Sequence, residues 1–218
     1  MEDVKRLSRK EQADRTRAKI IRAATVEFRA NGYHGTPMAG IAKRAGVAVQ
    51  TVYFVFHTKS ALLTAAIDSA VMGEDAPSPP DLTAWWQQAT STTDPRRAIE
   101  LFVTNVAEIS TRAATLGRVA AAAANTDPEI VDLIAHHESL REQGFRSYIE
   151  TLASRDFLRD GLDPVEATDV LLTLAGSEVF LNFIEGRGWS LQRYTNWTTD
   201  ALCTLLLRSP KSRAGGNF

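Results

Sequence analysis

Residues 36–59 read TPMAGIAKRAGVAVQTVYFVFHTK, and this stretch decides the fold. Thr36 is a good helix cap and Pro37 suits the first helical position, so a helix is predicted to begin there. Gly46 follows, and glycine most easily adopts the left-handed conformation that ends a helix. A second short helix is predicted from about residue 47 to 54. Helix, glycine turn and helix form the helix-turn-helix pattern, whose second helix enters the DNA major groove.

Helical periodicity continues on both sides of this motif, and no stretch has the alternation of a strand. A long helix is predicted over about 10–30, ended by Asn31-Gly32, and another over 59–72, capped by Thr58. Further helices are predicted at about 96–112, 127–154, 165–175, 178–185 and 190–208, with a weaker segment at 116–124. Asp127, Asp163 and Ser190 are the start signals of three of them. The predicted fold class is therefore all-α.

Composition changes divide this all-α chain into an N-terminal helix-turn-helix domain and a larger C-terminal helical domain. Residues 73–81 hold three prolines and a glycine, which cannot continue a helix. The predicted parts are a basic arm (1–9), the helix-turn-helix domain (10–57), a connecting helix (58–72), the loop (73–81), the C-terminal domain (82–208) and a disordered tail (209–218).

Charge is distributed unevenly along the 218 residues, although the net charge is only −1. Residues 1–70 carry twelve Lys or Arg and six acids, whereas the remainder is acidic. This asymmetry indicates that the N-terminal part alone meets a polyanion such as DNA, unless the basic side chains simply cover a solvated helix. The single cysteine excludes an internal disulfide and favours a cytoplasmic protein. No apolar run is long enough for a membrane-spanning helix to be expected.

The motif closely resembles the tetracycline-repressor (TetR) family. The residues that carry the resemblance are Thr36, Ile41-Ala42, Ala45-Gly46-Val47, Thr51, Val52-Tyr53, Phe56, Lys59 and Leu62-Leu63, preceded by Ile20 to Ala24, Phe28 and Gly32-Tyr33. The resemblance covers about residues 10–72. It implies a homodimeric regulator, usually a repressor, whose N-terminal domain binds a palindromic operator and whose C-terminal domain usually holds a small-molecule effector.

The sequence departs from the family pattern where DNA would be read. Ala48 stands where a capping serine is common, and losing such a cap costs about 1 kcal/mol. Val49 and Gln50 replace basic or small residues, and His57 replaces a frequent proline or glycine. These departures leave the base contacts open.

DNA contacts are predicted in two groups. Gln50 can pair bidentately with adenine, Thr51 can bond a base or a phosphate, and Ala48 and Val49 can contact a thymine methyl. The phosphate contacts are predicted at Thr36, Tyr53, His57 and Lys59. The sequence does not decide whether Phe54 lies in the core or on the surface.

The C-terminal domain has two predicted sites. The first is an effector pocket for an apolar or aromatic ligand, although aromatics at helical spacing can equally be plain core; its candidates are Trp85, Trp86, Phe102, His137, Arg141, Phe145 and Phe180. The second is a dimer interface on the helices at 165–175 and 190–208, which can instead close the monomer core; its candidates are Val165, Thr168, Leu172, Tyr194, Thr198, Ala201, Leu202 and Leu205.

Enzymatic and metal chemistry are not expected. Adjacent His136 and His137 point about 100° apart on a helix, so they do not form a ligand pair, and no catalytic motif or cofactor-binding loop is present. The expected function is therefore a DNA-binding regulator released by a small-molecule effector. The alternatives are an architectural DNA-binding protein without an effector, and a helical enzyme or carrier.

Overall fold

The computed structural model describes residues 8–73 and 78–208. In this part of the chain the all-α prediction is confirmed, since the extended backbone pairs only at one isolated bridge, Leu158 with Leu207. A 3₁₀ turn spans Pro80–Leu82 and a π-type turn spans Asn182–Gly186. The helices are α1 (Arg9–Asn31), α2 (Met38–Ala45), α3 (Val49–Phe56), α4 (Lys59–Met72), α5 (Ala84–Ser91), α6 (Pro95–Ala123), α7 (Pro128–Ser154), α8 (Pro164–Leu174), α9 (Ser177–Leu181) and α10 (Leu191–Leu206).

Three segments of the sequence-based prediction lie outside the described residues. They are residues 1–7 of the basic arm, 74–77 of the proline-rich loop and 209–218 of the tail.

Polar caps begin four helices at the predicted places. Thr58, Asp127, Asp163 and Ser190 each accept a hydrogen bond from a backbone N–H in the first turn of α4, α7, α8 and α10. The first backbone N–H groups of a helix have no partner within the helix, so these side chains stabilise its start.

Other helix boundaries differ from the prediction. α2 starts after Pro37, not after Thr36, and α3 lies two residues further along than expected. α1 starts earlier because Ser8 and Glu11 form a reciprocal capping box. α6 is one helix of 29 residues, where two segments were predicted. Gly117 lies inside it, and an internal glycine costs only about 1 kcal/mol, too little to break a well-packed helix.

The described chain divides into two compact units. Unit 1 contains the described residues up to 73 together with Thr115–Ala135, and unit 2 contains Ser78–Ala114 and the described residues from His136 onward. The end of α6 and the start of α7 thus pack with the N-terminal helices, although the predicted C-terminal domain includes them.

The inner face of α3 packs into the apolar core of unit 1. α1 packs on α2 and α4, and α2 packs on α3. Ile20, Phe28, Ile41, Val52 and Leu62, from all four helices, are fully buried. Burying each such side chain contributes about 1.5–3 kcal/mol. The orientation of α3 is therefore set by apolar packing.

Polar contacts join the turn between α6 and α7 to the rest of unit 1. The Tyr33 hydroxyl donates to Asp127 Oδ2 at 2.7 Å, and the Ser60 hydroxyl donates to Glu129. Asp127 uses its other oxygen, Oδ1, to cap α7. This carboxylate therefore stabilises a helix start and positions a tyrosine at the same time.

Unit 2 has two apolar clusters among its described residues. The larger joins α5, α6, α7, α8 and α10, and the smaller surrounds Phe180 and Tyr194. Contrary to expectation, one stretch in the described part of the chain, Pro164–Gly186, is long and apolar enough by composition to cross a membrane. Length and composition alone define this criterion, which core helices of soluble proteins also meet, so a single such stretch is weak evidence of a membrane span.

Candidate nucleic-acid interface

The turn between α2 and α3 depends on Gly46. Its φ of 66° and ψ of 39° are left-handed, and its N–H points to the carbonyls of Ala42 and Lys43. The N–H of Val47 then donates to the Ala42 carbonyl at 3.1 Å. An added Cβ at Gly46 would meet no atom within 4 Å, so the backbone conformation alone favours glycine here.

α3 begins without a side-chain cap and ends in a strained turn. Ala48 occupies the cap position, and its carbonyl accepts from the Thr51 N–H at 3.0 Å. His57 ends the helix with φ 57° and ψ −55°, while the Thr58 N–H donates to the Phe56 carbonyl. This is the geometry of the γ-turn with positive φ, which is rare for a residue with a side chain.

The outer face of α3 presents most of the predicted DNA contacts. Val52 and Phe56 are buried, whereas Gln50, Tyr53 and Phe54 are exposed. Four more of the predicted contacts are also accessible: Ala48 and His57 are exposed, and Val49 and Thr51 are half-buried. The candidate readers and most candidate phosphate contacts therefore lie on one surface of unit 1.

Thr36 is placed differently from the prediction. It is fully buried, and its hydroxyl bonds the carbonyls of Gly32 at 2.7 Å and Glu27 at 3.1 Å. A hydroxyl used in this way ties the end of α1 to the start of α2 and has no path to a phosphate. The helix-capping role predicted for Thr36 is wrong for the same reason.

Lys59 is partly engaged inside unit 1. Its ammonium donates to the Tyr33 carbonyl at 2.9 Å and lies 4.3 Å from the centre of the Tyr33 ring. An ammonium has three N–H donors, so these contacts position the group and leave donors for a phosphate.

Two residues at this surface were not predicted. Arg17 of α1 is exposed, and its guanidinium lies 4.5 Å above the Phe56 ring, next to the end of α3. Phe54 is 82% exposed although it belongs to the helix that carries the candidate readers. The exposure of Phe54 could not be predicted from the sequence, because residues 54–56 are all apolar and only packing shows which of them faces outward.

The predicted effector residues in unit 2 fall into separate places. Trp85, Trp86, Phe102 and Phe145 come together with Tyr148, which was not among the predicted residues. Tyr148 stacks on Phe102 with ring centres 4.0 Å apart, and its hydroxyl is buried without a hydrogen-bond partner among the described residues. Burial raises the pKa of Tyr148 far above its ordinary value.

The other three effector candidates lie outside this aromatic cluster. Phe180 packs on Tyr194 in the smaller apolar cluster, with ring centres 5.2 Å apart. Arg141 pairs with Glu138 at 2.6 Å on α7, and His137 is half-buried on the same helix. In the described part of the chain, no three His, Cys, Asp or Glu side chains are grouped to hold a metal.

The dimer candidates divide by exposure. Thr168, Tyr194, Thr198 and Leu202 are buried within the chain itself, so they close its own core. Helical spacing could not separate them from their neighbours, since α8 and α10 contact each other. Val165 and Leu205 are exposed and Leu172 and Ala201 are half-buried; the exposed Trp197 of α10 was not predicted.

These features define a helix-turn-helix protein, and comparison with known proteins supports that class. The family model for bacterial regulatory proteins of the tetR family matches residues 20–66. The HTH-type transcriptional regulator TtgR of Pseudomonas putida is 43% identical over 60 residues, which are 28% of this chain and 29% of TtgR. The alignment thus spans less than a third of the relative's length.

Solved structures extend the similarity of fold to nearly the whole chain. A structure described as a TetR-family transcriptional regulator, from Mesorhizobium loti MAFF303099, aligns with a TM-score of 0.70 at 20% identity, covering 92% of this chain and all of that one. FadR from Bacillus subtilis, in complex with stearoyl-CoA, aligns with a TM-score of 0.67 at 20% identity, covering 85% of this chain and 97% of FadR.

Residues 20–66 of the N-terminal domain thus match the family model of tetR-type bacterial regulatory proteins, and solved structures extend the likeness of fold over most of the chain. This confirms the resemblance found in the sequence. The matched family consists of regulators and not of enzymes, so these matches do not support the enzyme alternative.

Proposed function

We propose that this protein is a sequence-specific DNA-binding transcriptional regulator, acting in the cytoplasm on double-stranded DNA. The observation that carries the proposal is the outer face of α3, where Gln50, Tyr53 and His57 are exposed beside a helix-turn-helix glycine turn. The excess of basic residues in the N-terminal part of the chain supports it, because phosphate contacts supply much of the affinity for DNA.

Within this proposal, bases and phosphates are contacted by different residues. Gln50 reads adenine, with Ala48, Val49 and Thr51 beside it at the start of α3. Tyr53, His57 and Lys59 bond phosphates, and Arg17 joins them at the end of α3. Thr36 is left out of the DNA contacts because its hydroxyl is buried and bonded internally.

We propose further that the protein is a homodimer on a palindromic operator. On α10, Trp197, Ala201 and Leu205 are spaced by four residues and form an accessible apolar stripe. Val165 and Leu172 of α8, two turns apart, add a second accessible pair. Two copies of these helices would bury the stripes in a four-helix bundle, and a dimer can reach two half-sites roughly 34–36 Å apart.

The proposed effector is a small apolar or aromatic molecule, bound at the aromatic cluster of Trp85, Trp86, Phe102, Phe145 and Tyr148. Large aromatic surfaces with few polar groups suit such a ligand, and an acceptor atom on it would satisfy the unpaired Tyr148 hydroxyl. FadR, of similar fold, binds an acyl-CoA. The effector would release the protein from its operator and thereby end repression.

Selection of bound duplexes from a random pool tests DNA reading. Wild-type protein should enrich a palindromic sequence, and Gln50→Ala should lose discrimination at specific base pairs by about 1–3 kcal/mol. The matched control is Gln87→Ala, which removes an exposed glutamine from α5 in unit 2 and should leave the selected sequence unchanged. An unchanged sequence preference in Gln50→Ala would remove that residue from the reading surface.

Light scattering and ligand screening test the remaining parts. A Leu205→Glu variant should be monomeric where the wild type is dimeric, because it places a charge in the proposed bundle. An effector should raise the melting temperature and weaken operator binding. If no ligand that raises the melting temperature alters DNA affinity, the alternative of an effector-independent architectural DNA-binding protein is favoured.

A further inference from the structure

Phe54 is the most exposed large apolar side chain among the described residues, at 82%. At 100° per residue it lies roughly opposite the midpoint between the buried Val52 and Phe56. It therefore stands at the centre of the outer face of α3, the face that a recognition helix turns toward the major groove.

Gln50 shares this face, one helical turn before Phe54. Residues four apart on a helix lie on the same side and about 6 Å apart along its axis. The exposed Tyr53 lies at the edge of the same face. Two adjacent groups with different chemistry, an amide and a phenyl ring, are thus presented together.

A phenyl ring at the bottom of a major groove has one apolar partner there, the C5-methyl group of thymine. Removing the ring and the methyl from water together is favourable, whereas a cytosine at the same place has no methyl to offer. Along the groove, 6 Å corresponds to about one or two base-pair steps of 3.4 Å.

From this geometry we infer that Phe54 is a specificity-determining residue, which recognises a thymine methyl one or two base pairs from the adenine read by Gln50. The inference rests on the proposed function, since it requires that α3 enter the major groove. It adds a hydrophobic contact to the hydrogen-bond contacts and predicts an operator with a thymine at a defined place in each half-site.

The test replaces thymine by deoxyuridine, one position at a time, in the duplex selected from the random pool. This change removes only the methyl group. At one thymine position in each half-site, the duplex with deoxyuridine should bind wild-type protein roughly fourfold more weakly than the unsubstituted duplex. This is the loss expected for one buried carbon. Fluorescence anisotropy at a fixed salt concentration measures the affinities.

Phe54→Ala completes a double-mutant cycle. In this variant the deoxyuridine penalty at that thymine should vanish, while the matched variant Gln50→Ala should retain it. The substituted side chain is exposed and alanine favours helix, so the variant should fold; circular dichroism and light scattering check its melting temperature and its oligomeric state.

Three results overturn the inference: a deoxyuridine penalty that persists in Phe54→Ala, the absence of any deoxyuridine penalty in the wild type, or a changed oligomeric state in Phe54→Ala, which would assign the ring to a protein contact. Failure of wild-type protein to enrich any duplex would instead refute the proposed function itself, and the inference with it.

Discussion

Replacing Tyr148 by phenylalanine should make the protein more stable. The Tyr148 hydroxyl is buried in unit 2 and has no hydrogen-bond partner among the described residues. In the unfolded chain the same hydroxyl is bonded to water, so folding removes that bond without replacing it. Phenylalanine keeps the ring and omits the group that carries this cost.

The expected magnitude follows from the contacts of the ring. A buried unsatisfied polar group costs about 1–3 kcal/mol. Phenylalanine retains the stacking on Phe102, with ring centres 4.0 Å apart, and the edge contact with Trp86 at 6.0 Å. It loses only the dispersion contacts of one oxygen, which are worth about 0.1–0.2 kcal/mol each. A net gain of about 1–2 kcal/mol remains, or roughly 2–8 °C in melting temperature for a chain of this size.

Tyr194→Phe is the matched control, since Tyr194 is also buried in unit 2. Its hydroxyl donates to the Leu174 carbonyl at 3.2 Å, so its removal should lower stability by about 0.5–1.5 kcal/mol. Differential scanning calorimetry at equal protein concentration measures both variants, because dimer formation makes melting temperature depend on concentration.

A lower melting temperature for Tyr148→Phe would refute the reasoning, because it would show that the hydroxyl has a partner in the folded protein. A further consequence concerns the proposed effector. If an acceptor on the ligand bonds this hydroxyl, Tyr148→Phe should bind the ligand more weakly although the ligand-free protein is more stable. Isothermal titration calorimetry with a ligand found by thermal shift measures this difference.

Three other substitutions have defined outcomes. His57→Gly should raise the free energy of unfolding by about 0.5–2 kcal/mol, because glycine adopts the positive φ at the end of α3 without strain. The same variant should bind DNA more weakly. A lower stability would show that the backbone at His57 is not strained. Thr36→Val should lower stability by about 1 kcal/mol and leave DNA affinity unchanged, whereas lost affinity at full stability would restore Thr36 as a phosphate contact. Burial and Asp127 raise the pKa of Tyr33, so the folded state keeps this proton to higher pH and stability should fall above about pH 10; urea unfolding between about pH 9 and 11 should show a shallower fall in Tyr33→Phe.

Some features of the molecule can be predicted from the sequence because their causes are local. A cap acts on backbone groups two or three residues away, and a glycine turn acts on its own φ angle. Thr58, Asp127 and Gly46 therefore mark the ends of helices reliably. The helix-turn-helix motif is a series of such local signals, so its class could be predicted without coordinates.

The spatial neighbours of a side chain could not be predicted from the sequence in the same way. Helical periodicity assigns a residue to a face, but several residues at helical spacing become core while others remain exposed. On α10, Leu202 is buried and Leu205 is exposed, although both were predicted for the same interface. Only the position of the neighbouring helices separates them.

The sequence by itself determined that the chain is helical, which side chains cap α4, α7, α8 and α10, and that residues 36–59 form a helix-turn-helix. Tertiary structure decided what the individual side chains do. Thr36 is buried, Lys59 bonds the Tyr33 carbonyl, and Phe54 is exposed at the centre of the outer face of α3. The reason is physical: helix ends depend on contacts within about four residues, whereas burial and side-chain pairing depend on groups far apart in the chain, as with Tyr33 and Asp127, separated by 94 positions.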